Sequence, residues 1–175
     1  RIKRNIHVKL NIRRKMIKRW AIFDLDNTIA DINDRLAVAS YSGKLDYSKL
    51  HSLELIKADK PMYKTIDLMN DLANFNVGIF ILTGRFAHTR QVTEKWLNHY
   101  NVPYDKLQMK LNSDIYIKSD AWKYRKMIEF MEQKRLSFEH IILACDDHKK
   151  NQHMFESYGI PCLDPLYNLN TISLR

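Results

Sequence analysis

The sequence predicts an α/β protein with a central parallel β-sheet. Short apolar runs alternate along the chain with segments of helical period, as expected for strands joined by crossover helices. The runs 77–82 and 141–145 are uninterrupted, which is typical of strands covered on both faces. The 175 residues are 45% apolar and 11% aromatic, enough for one domain with a full hydrophobic core.

The individual elements follow from local patterns. Strands are expected, in chain order, at 21–23, 77–82, 107–110, 141–145 and 160–163. Helices are expected between them, at 65–75, 87–100, 119–134 and 151–158. The first of these helices has one apolar face, formed by Leu68, Met69, Leu72 and Phe75.

The formal net charge of +9 suggests nucleic-acid binding, but the charge is unevenly placed. Nine of the 29 basic residues lie in residues 1–20, which hold no carboxylate, so residues 21–175 carry 20 charges of each sign. We expect residues 1–15 to be a basic extension that is disordered or not native, with Met16 as the natural start and 16–175 as the folded domain. A native basic arm and a transit peptide are the alternatives.

Two further features bear on the compartment. No apolar run approaches the ~18 residues of a membrane-spanning helix, so we expect a soluble protein. Cys145 and Cys162 are too few for a disulfide scaffold and lie in apolar surroundings. They are expected to be core residues of a protein from a reducing, cytoplasmic compartment.

Polar residues follow three of the predicted strands. The ends of parallel strands converge at one edge of a sheet, where ligands of α/β proteins bind. Taken singly, the three motifs have plain structural interpretations as a solvated turn, a chance tripeptide and the start of a helix. Their order, each directly after an apolar run, indicates a functional site instead. The motifs are Asp24-Leu25-Asp26, Thr83-Gly84-Arg85 and Asp146-Asp147.

These residue types suit phosphoryl transfer. Asp24 and Asp26 are one residue apart, so their carboxylates point to the same side of an extended chain, where one can attack an electrophile while the other moves a proton. Several carboxylates in one pocket repel one another unless a cation holds them, and Mg²⁺ is the expected cation. Thr83 offers a hydroxyl and an N–H to a phosphoryl oxygen, and Gly84 permits close approach of the backbone.

A lysine is also needed to offset the charge of the nucleophile and of the transferred group. Lys118, at the start of the predicted helix 119–134, is the first candidate, and Lys123 is the second.

Together the motifs resemble those of the haloacid dehalogenase-like (HAD) phosphohydrolase superfamily, over residues 18–165. Its first motif, hhhDxDxT, matches 21–28, its second, hhhT/S, matches 79–83, and its acidic pair matches 146–147. The resemblance implies a three-layer Rossmann-like fold with a central parallel sheet and a small cap or flap insertion.

The same resemblance implies roles for the site residues. Asp24 would be the nucleophile that forms an aspartyl-phosphate, and Asp26 the general acid and then the general base. Thr83 and Lys118 would hold the phosphoryl oxygens. The Mg²⁺ ligands would be Asp24, the backbone carbonyl of Asp26 and Asp146, with Asp147 close by.

A narrower resemblance is to the phosphatase domain of phage-type polynucleotide kinase/3'-phosphatases. Arg35 and Arg85 stand at the spacings that this family has after its nucleophile and its second motif. Asp114-x-x-x-Lys118 matches its third motif and favours Lys118 over Lys123. The substrate contacts implied are Thr28, Arg35, Gly84 and Arg85. For the two arginines, ordering of the site and a surface ion pair are the alternatives.

The sequence departs from these relatives at three points. Asn27 replaces the usual glycine of the first motif, and asparagine tolerates the left-handed backbone of such a turn. His148 stands where the relatives commonly have arginine. There is no G-x-x-x-x-G-K-[ST] motif, so we expect no kinase domain in this chain.

An insertion at about 36–62 is too short for a large cap domain, so a small helical flap is expected. A modest cover leaves the site open to the end of a polynucleotide. Tyr41 or Tyr47 is expected either to stack on a base or to pack the flap.

Three functions remain open at this point. The first is Mg²⁺-dependent hydrolysis of 3'-phosphates on polynucleotide ends or nucleotides. The second is a 5'-(deoxy)nucleotidase that acts on free nucleoside monophosphates. The third is a catalytically idle adaptor that binds nucleic acid or protein, which the intact set of carboxylates disfavours.

Overall fold

A computed structural model of the protein describes residues 17–41 and 43–167. Its strands are β1 (Trp20–Phe23), β2 (Ala30–Asp31), β3 (Lys60–Pro61), β4 (Gly78–Phe86), β5 (Lys106–Lys110), β6 (Ile141–Cys145) and β7 (Cys162–Leu163). Its α-helices are α1 (Asn33–Ser40), α2 (Tyr47–Leu50), α3 (Leu53–Ala58), α4 (Tyr63–Asn74), α5 (Arg90–His99), α6 (Ser119–Lys134) and α7 (Lys149–Ser157). The predicted basic extension, 1–15, lies outside the described residues.

The central sheet has five strands in the order β5-β4-β1-β6-β7, and every neighbouring pair is parallel. Alternate residues of β1 belong to two separate hydrophobic clusters, because successive side chains of a strand point to opposite faces. Ala21 and Phe23 pack with residues of α4 and α5, whereas Trp20 and Ile22 pack with residues of α6 and α7. The predicted three-layer α/β fold is therefore confirmed.

Close packing of β1 against β4 depends on one glycine. A Cβ atom on Gly78 would lie 2.5 Å from Cε3 of Trp20. Phe75, which the sequence pattern assigned to the apolar face of a helix, is 83% exposed because α4 ends one residue earlier. The other residues of that face, Leu68, Met69 and Leu72, pack against the core.

The segment from Asn33 to Pro61, here called the insert, lies between the first motif and α4. It contains the short helices α1, α2 and α3, and β2 pairs with β3 in a separate antiparallel ladder. Its Tyr41 is 92% exposed, so this ring does not pack the insert.

The two cysteines have the environments expected from the apolar sequence around them. Cys145 is buried, Cys162 is half-buried, and both are free thiols. Burial raises the pKa of Cys162 to about 12, which suits an inert core residue.

Within the described part of the chain, no helix combines the length and apolar character needed to cross a bilayer.

Candidate active site

The predicted nucleophile lies where β1 ends, in contact with a buried lysine. The backbone N–H of Asp24 donates to the carbonyl of Cys145 (2.9 Å), which fixes this residue against β6. Nζ of Lys123 lies 2.9 Å from Oδ1 of Asp24 and 2.6 Å from Oδ2 of Asp146. Burial raises the pKa of Asp24 to about 7, although the charge of Lys123 opposes this shift.

The lysine at the site is therefore Lys123, and the expectation for Lys118 is corrected. Lys118 caps the N-terminus of α6 with an exposed side chain, whereas Lys123 lies one turn further along and is 1% exposed. In the family pattern Asp114-x-x-x-Lys118, the aspartate has a structural role in this protein. Asp114 accepts hydrogen bonds from Nε1 of Trp122 (2.9 Å) and from Arg125 (3.0 Å), which fixes the first turns of α6.

Three carboxylates come together at the ends of β1 and β6. One oxygen each of Asp24, Asp146 and Asp147 lie within 4.8 Å of one another. Asp146 is held by Nδ2 of Asn151 (2.9 Å) and by the backbone N–H of His148 (3.0 Å). The acidic pair thus joins Asp24 as the sequence predicts, and Asn151, for which the sequence predicted no role at the site, orients Asp146.

The chemistry of this cluster fits a hard divalent cation. Oδ1 of Asp24 is buried, and the lysine that pairs with it, Lys123, also pairs with Asp146. Burial, together with the charge of Asp146, raises the pKa of Asp147. A cation bound by oxygen ligands would relieve the repulsion among the three carboxylates.

The second aspartate of the first motif is held by two arginines. Oδ1 of Asp26 accepts from Nη2 of Arg35 (2.6 Å) and from Nε of Arg85 (2.7 Å). Burial alone would raise the pKa of Asp26, but the charges of Arg85 and Arg35 outweigh it and lower the pKa below its ordinary value. Asp26 is therefore ionised in the free protein at neutral pH.

A further buried carboxylate, Asp59, completes this group. It accepts from Nε and Nη2 of Arg35 (both 3.0 Å) and from Nη2 of Arg85 (2.6 Å). Its backbone carbonyl accepts from Nε1 of Trp96 (2.8 Å), which ties the insert to α5. No sequence motif marks Asp59, so it was not among the predicted site residues. The charges give one signal for it. If Arg35 and Arg85 both lie buried beside the carboxylate of Asp26, a second carboxylate is needed to balance the two positive charges.

Three of the residues predicted to contact substrate, Arg35, Arg85 and Thr28, are buried. Arg35 and Arg85 are 2% and 1% exposed, and both pair with Asp26 and Asp59, so in this structure they order the site. Their burial also excludes the surface ion pair considered as an alternative. Thr28 is fully buried in the turn after Asp26, where no substrate atom can reach it. Asn27, in the same turn, has the expected left-handed backbone, with φ of 54°.

Two adjoining cavities open at this edge of the sheet. The smaller, of about 210 Å³, is lined by residues that include Asp24, Thr83, Lys123 and Asp147, with His148 at its exposed side. The larger has a volume of about 420 Å³ and is lined on one side by residues of the insert, which are Tyr47, Leu50 and His51. The residues common to both are Asp26, Gly84 and Ser119.

A third cavity is larger still but carries none of the motif residues. It has a volume of about 530 Å³ and lies between α3 and α5, lined by residues such as Leu53, Lys57 and Trp96. The convergence of the sequence motifs therefore assigns the active site to the smaller cavity.

Comparisons with known proteins agree with this geometry. The family model described as "Polynucleotide kinase PNKP phosphatase domain" matches residues 18–167, which include every element of the sheet. No curated protein matches the chain in sequence.

Several solved structures share the fold. One is a chain from the "Structure of the Pnkp1/Rnl/Hen1 RNA repair complex", with a TM-score of 0.66 and 20% identity over 85% of this chain and 42% of that one. This protein thus spans less than half the length of that relative. A HAD-like hydrolase, SP0104 from Streptococcus pneumoniae, has a TM-score of 0.58 and 15% identity, and 83% of each chain is covered.

A third similar structure is the "Phospho-Aspartyl Intermediate Analogue of Phosphoserine phosphatase". Its TM-score is 0.55 and its identity 16%, over 84% of this chain and 93% of that one. The family match covers most of the chain, and the fold and the carboxylate cluster agree with it. The chain therefore belongs to the PNKP phosphatase-domain family of HAD phosphohydrolases.

Proposed function

We propose that this protein is a Mg²⁺-dependent phosphomonoesterase that removes terminal 3'-phosphates from polynucleotides through an aspartyl-phosphate intermediate. The observation that carries the proposal is the placement of Asp24, which lies beside Lys123 in the smaller cavity and forms a carboxylate cluster with Asp146 and Asp147. The family match supports the substrate class, as does the likeness to a Pnkp1 chain from an RNA repair complex.

In the first step, a carboxylate oxygen of Asp24 attacks the phosphorus atom of the substrate. A bond forms between that oxygen and phosphorus, and the bond from phosphorus to the 3'-oxygen breaks. Lys123 and the backbone N–H groups near Thr83 stabilise the charge that develops on the phosphoryl oxygens. The leaving 3'-oxygen takes its proton from Asp26.

Asp26 must therefore carry a proton when the ester bond breaks, although Arg35 and Arg85 favour its ionised form in the free protein. A phosphoryl dianion beside it disfavours a second negative charge, so substrate binding shifts Asp26 toward the protonated form. The arginines then favour the ionised form again after the proton has left.

In the second step, a water molecule attacks the phosphorus atom of the aspartyl-phosphate. Asp26, now ionised, takes the proton from the water, and the bond from phosphorus to Asp24 breaks to release inorganic phosphate. This step regenerates the carboxylate of Asp24. Two guanidinium groups that keep Asp26 ionised suit its role as the base.

Asp24, Asp146 and Asp147 would hold Mg²⁺, with the backbone carbonyl of Asp26 as a further ligand. When bound, the ion would neutralise the charge of the carboxylates and of the transferred phosphoryl group.

The experiment compares phosphate release from four substrates with Mg²⁺ or with EDTA. They are a 3'-phosphorylated oligonucleotide, a 5'-phosphorylated oligonucleotide, a nucleoside 3'-monophosphate and a nucleoside 5'-monophosphate. Release from the 3'-phosphorylated substrates, lost in EDTA, is expected. Asp71→Asn, at an exposed position on α4, serves as the control for removal of a carboxylate and should retain activity.

Other outcomes identify the rival functions. Preference for the 5'-monophosphate would establish a 5'-nucleotidase and overturn the proposed substrate. Absence of release from all four substrates with Mg²⁺ present would support the idle adaptor.

A further inference from the structure

The larger cavity is lined by a lysine, Lys110, that forms no ion pair with a described residue, although the charge of Asp114 is near enough to oppose the lowering of its pKa by burial. Of the residues that line it, Asp26 and Lys110 are charged, and Asp26 is already paired with Arg35 and Arg85. Within residues 17–41 and 43–167, no carboxylate oxygen lies within ion-pair distance of Nζ of Lys110. A charge of this kind beside a cavity favours an anionic ligand.

Lys110 is held in place but retains donors for a ligand. Its Nζ donates to the backbone carbonyl of Ile117 (2.7 Å), which occupies one of the three N–H groups of the ammonium. Burial lowers the pKa of Lys110. An anion bound in the cavity would compensate for the lost hydration of this charge.

The position of Lys110 relative to Asp24 suits a ligand longer than a phosphoryl group. Lys110 ends β5, which is separated from β1 by β4 alone, so the two strands lie about 10 Å apart at the usual strand spacing, and the register places Lys110 two residues beyond the level of Asp24. Gly84, on β4, lines both cavities. A ligand that extends from the small cavity through the large one therefore passes from Asp24 to Lys110 along the carboxyl edge of the sheet.

The walls of the larger cavity suit a nucleoside. They include the aromatic side chains of Tyr47, His51, Phe86 and Trp122. Tyr47 is 62% exposed at the cavity edge, where its ring is free to meet a base, unlike the fully buried Trp122. Burial lowers the pKa of His51 to about 4, so this residue adds no positive charge at neutral pH.

We infer that the larger cavity takes the terminal nucleoside and that Lys110 binds the phosphate on its 5' side, so that Lys110 selects substrates with a second phosphate one nucleotide before the 3' end. This inference rests on the proposed 3'-phosphatase function. It explains how the site distinguishes a polynucleotide end from a free nucleoside 3'-monophosphate, which lacks the second phosphate.

The test compares a nucleoside 3'-monophosphate with the corresponding 3',5'-bisphosphate. The two substrates share the base, sugar and scissile bond and differ only in the 5'-phosphate. Wild-type protein is expected to show a kcat/KM for release of the 3'-phosphate about tenfold to hundredfold higher on the bisphosphate. Added salt should reduce that ratio, because the contact is between two charges at a solvent-accessible cavity.

Lys110→Gln removes the charge but keeps an N–H donor for the carbonyl of Ile117. It should bring the ratio close to one, because kcat/KM on the bisphosphate falls toward the value on the monophosphate, whereas Lys110→Arg should keep most of the preference. Lys95→Ala, which removes an exposed lysine of α5, is the charge control and should keep the full ratio.

The outcomes separate this inference from the proposed function. A wild-type ratio near one, or a ratio that Lys110→Gln leaves unchanged, would overturn the role of Lys110 while monophosphate hydrolysis still supports the 3'-phosphatase. Failure of the wild type to release the 3'-phosphate from either nucleotide or from the oligonucleotide would overturn the proposed function. If Lys110→Gln does not fold, the wild-type ratio and its salt dependence decide the question.

Discussion

Arg85 and Asp59 form a buried ion pair, with 2.6 Å between Nη2 and Oδ2. Arg85 comes from the end of β4 and Asp59 from the end of the insert, so this pair joins the catalytic edge of the sheet to its cover. Through Arg85 and Arg35, Asp59 also sets the position of Asp26. Asp59, which lines neither cavity at the site, thus helps to position Asp26, the residue proposed to transfer the proton.

Asp59→Asn should destabilise the protein and reduce catalysis. The substitution leaves two buried guanidinium groups around the single carboxylate of Asp26, and breaking such a buried pair typically costs about 3–5 kcal/mol. Urea unfolding and phosphate release measure the two effects. Asp34→Asn, which breaks the exposed ion pair with Lys60, is the control and should leave both unchanged. An Asp59→Asn protein of wild-type stability would contradict the role assigned to the buried group.

The two candidate lysines give a direct comparison. Lys123→Gln should lower kcat by roughly 10²–10³-fold, because it removes the cation next to Asp24 and to the transferred group. Lys118→Gln should retain near wild-type kcat, since that side chain is exposed on the cap of α6. The reverse result would favour the family spacing over the placement of Lys123 in the fold.

Gly84→Ala should impair catalysis without affecting stability. A Cβ atom at this position meets no other atom within 4 Å, so the free energy of unfolding should change by less than about 0.5 kcal/mol. The new methyl group would stand where both cavities meet and should reduce kcat/KM about tenfold or more by displacing the phosphoryl group. Unchanged kcat/KM would show that substrate does not approach the backbone at Gly84.

His51 should make the protein sensitive to acid. Burial lowers its pKa from 6.5 to about 4, so the unfolded chain takes up a proton at a higher pH than the folded protein does. Stability from this residue is fully present above pH 6.5 and is lost as the pH falls toward 4. Wild type should therefore lose on the order of 1–2 kcal/mol more than His51→Gln over that interval. Parallel unfolding curves for the two proteins would contradict this account.

The fold and most of the catalytic cluster could be predicted from local sequence. In the sequence, Asp24, Thr83 and Asp146 directly follow unmistakable apolar runs, and parallel strands bring such positions to one edge of the sheet. The sheet order then fixes which motifs meet. These positions depend on the backbone alone, which the hydrophobic pattern determines.

The remaining site residues depend on side-chain packing between distant elements. Lys118 and Lys123 differ by little more than one helical turn, and the rotation of α6 that decides between them is set by its contacts with the sheet. Asp59 has no motif because its role is defined by two arginines from other elements. Thr28 matches a family motif, yet the turn buries it.

The most direct test of the account is to capture the intermediate. Protein mixed with a 3'-phosphorylated oligonucleotide and Mg²⁺ is quenched in acid during turnover, and its peptides are analysed by mass spectrometry. We expect one phosphoryl group on the peptide that contains Asp24, and neither that adduct nor phosphate release from folded Asp24→Asn protein. Near wild-type turnover by Asp24→Asn, or a phosphoryl group on another residue, would contradict the covalent role of Asp24.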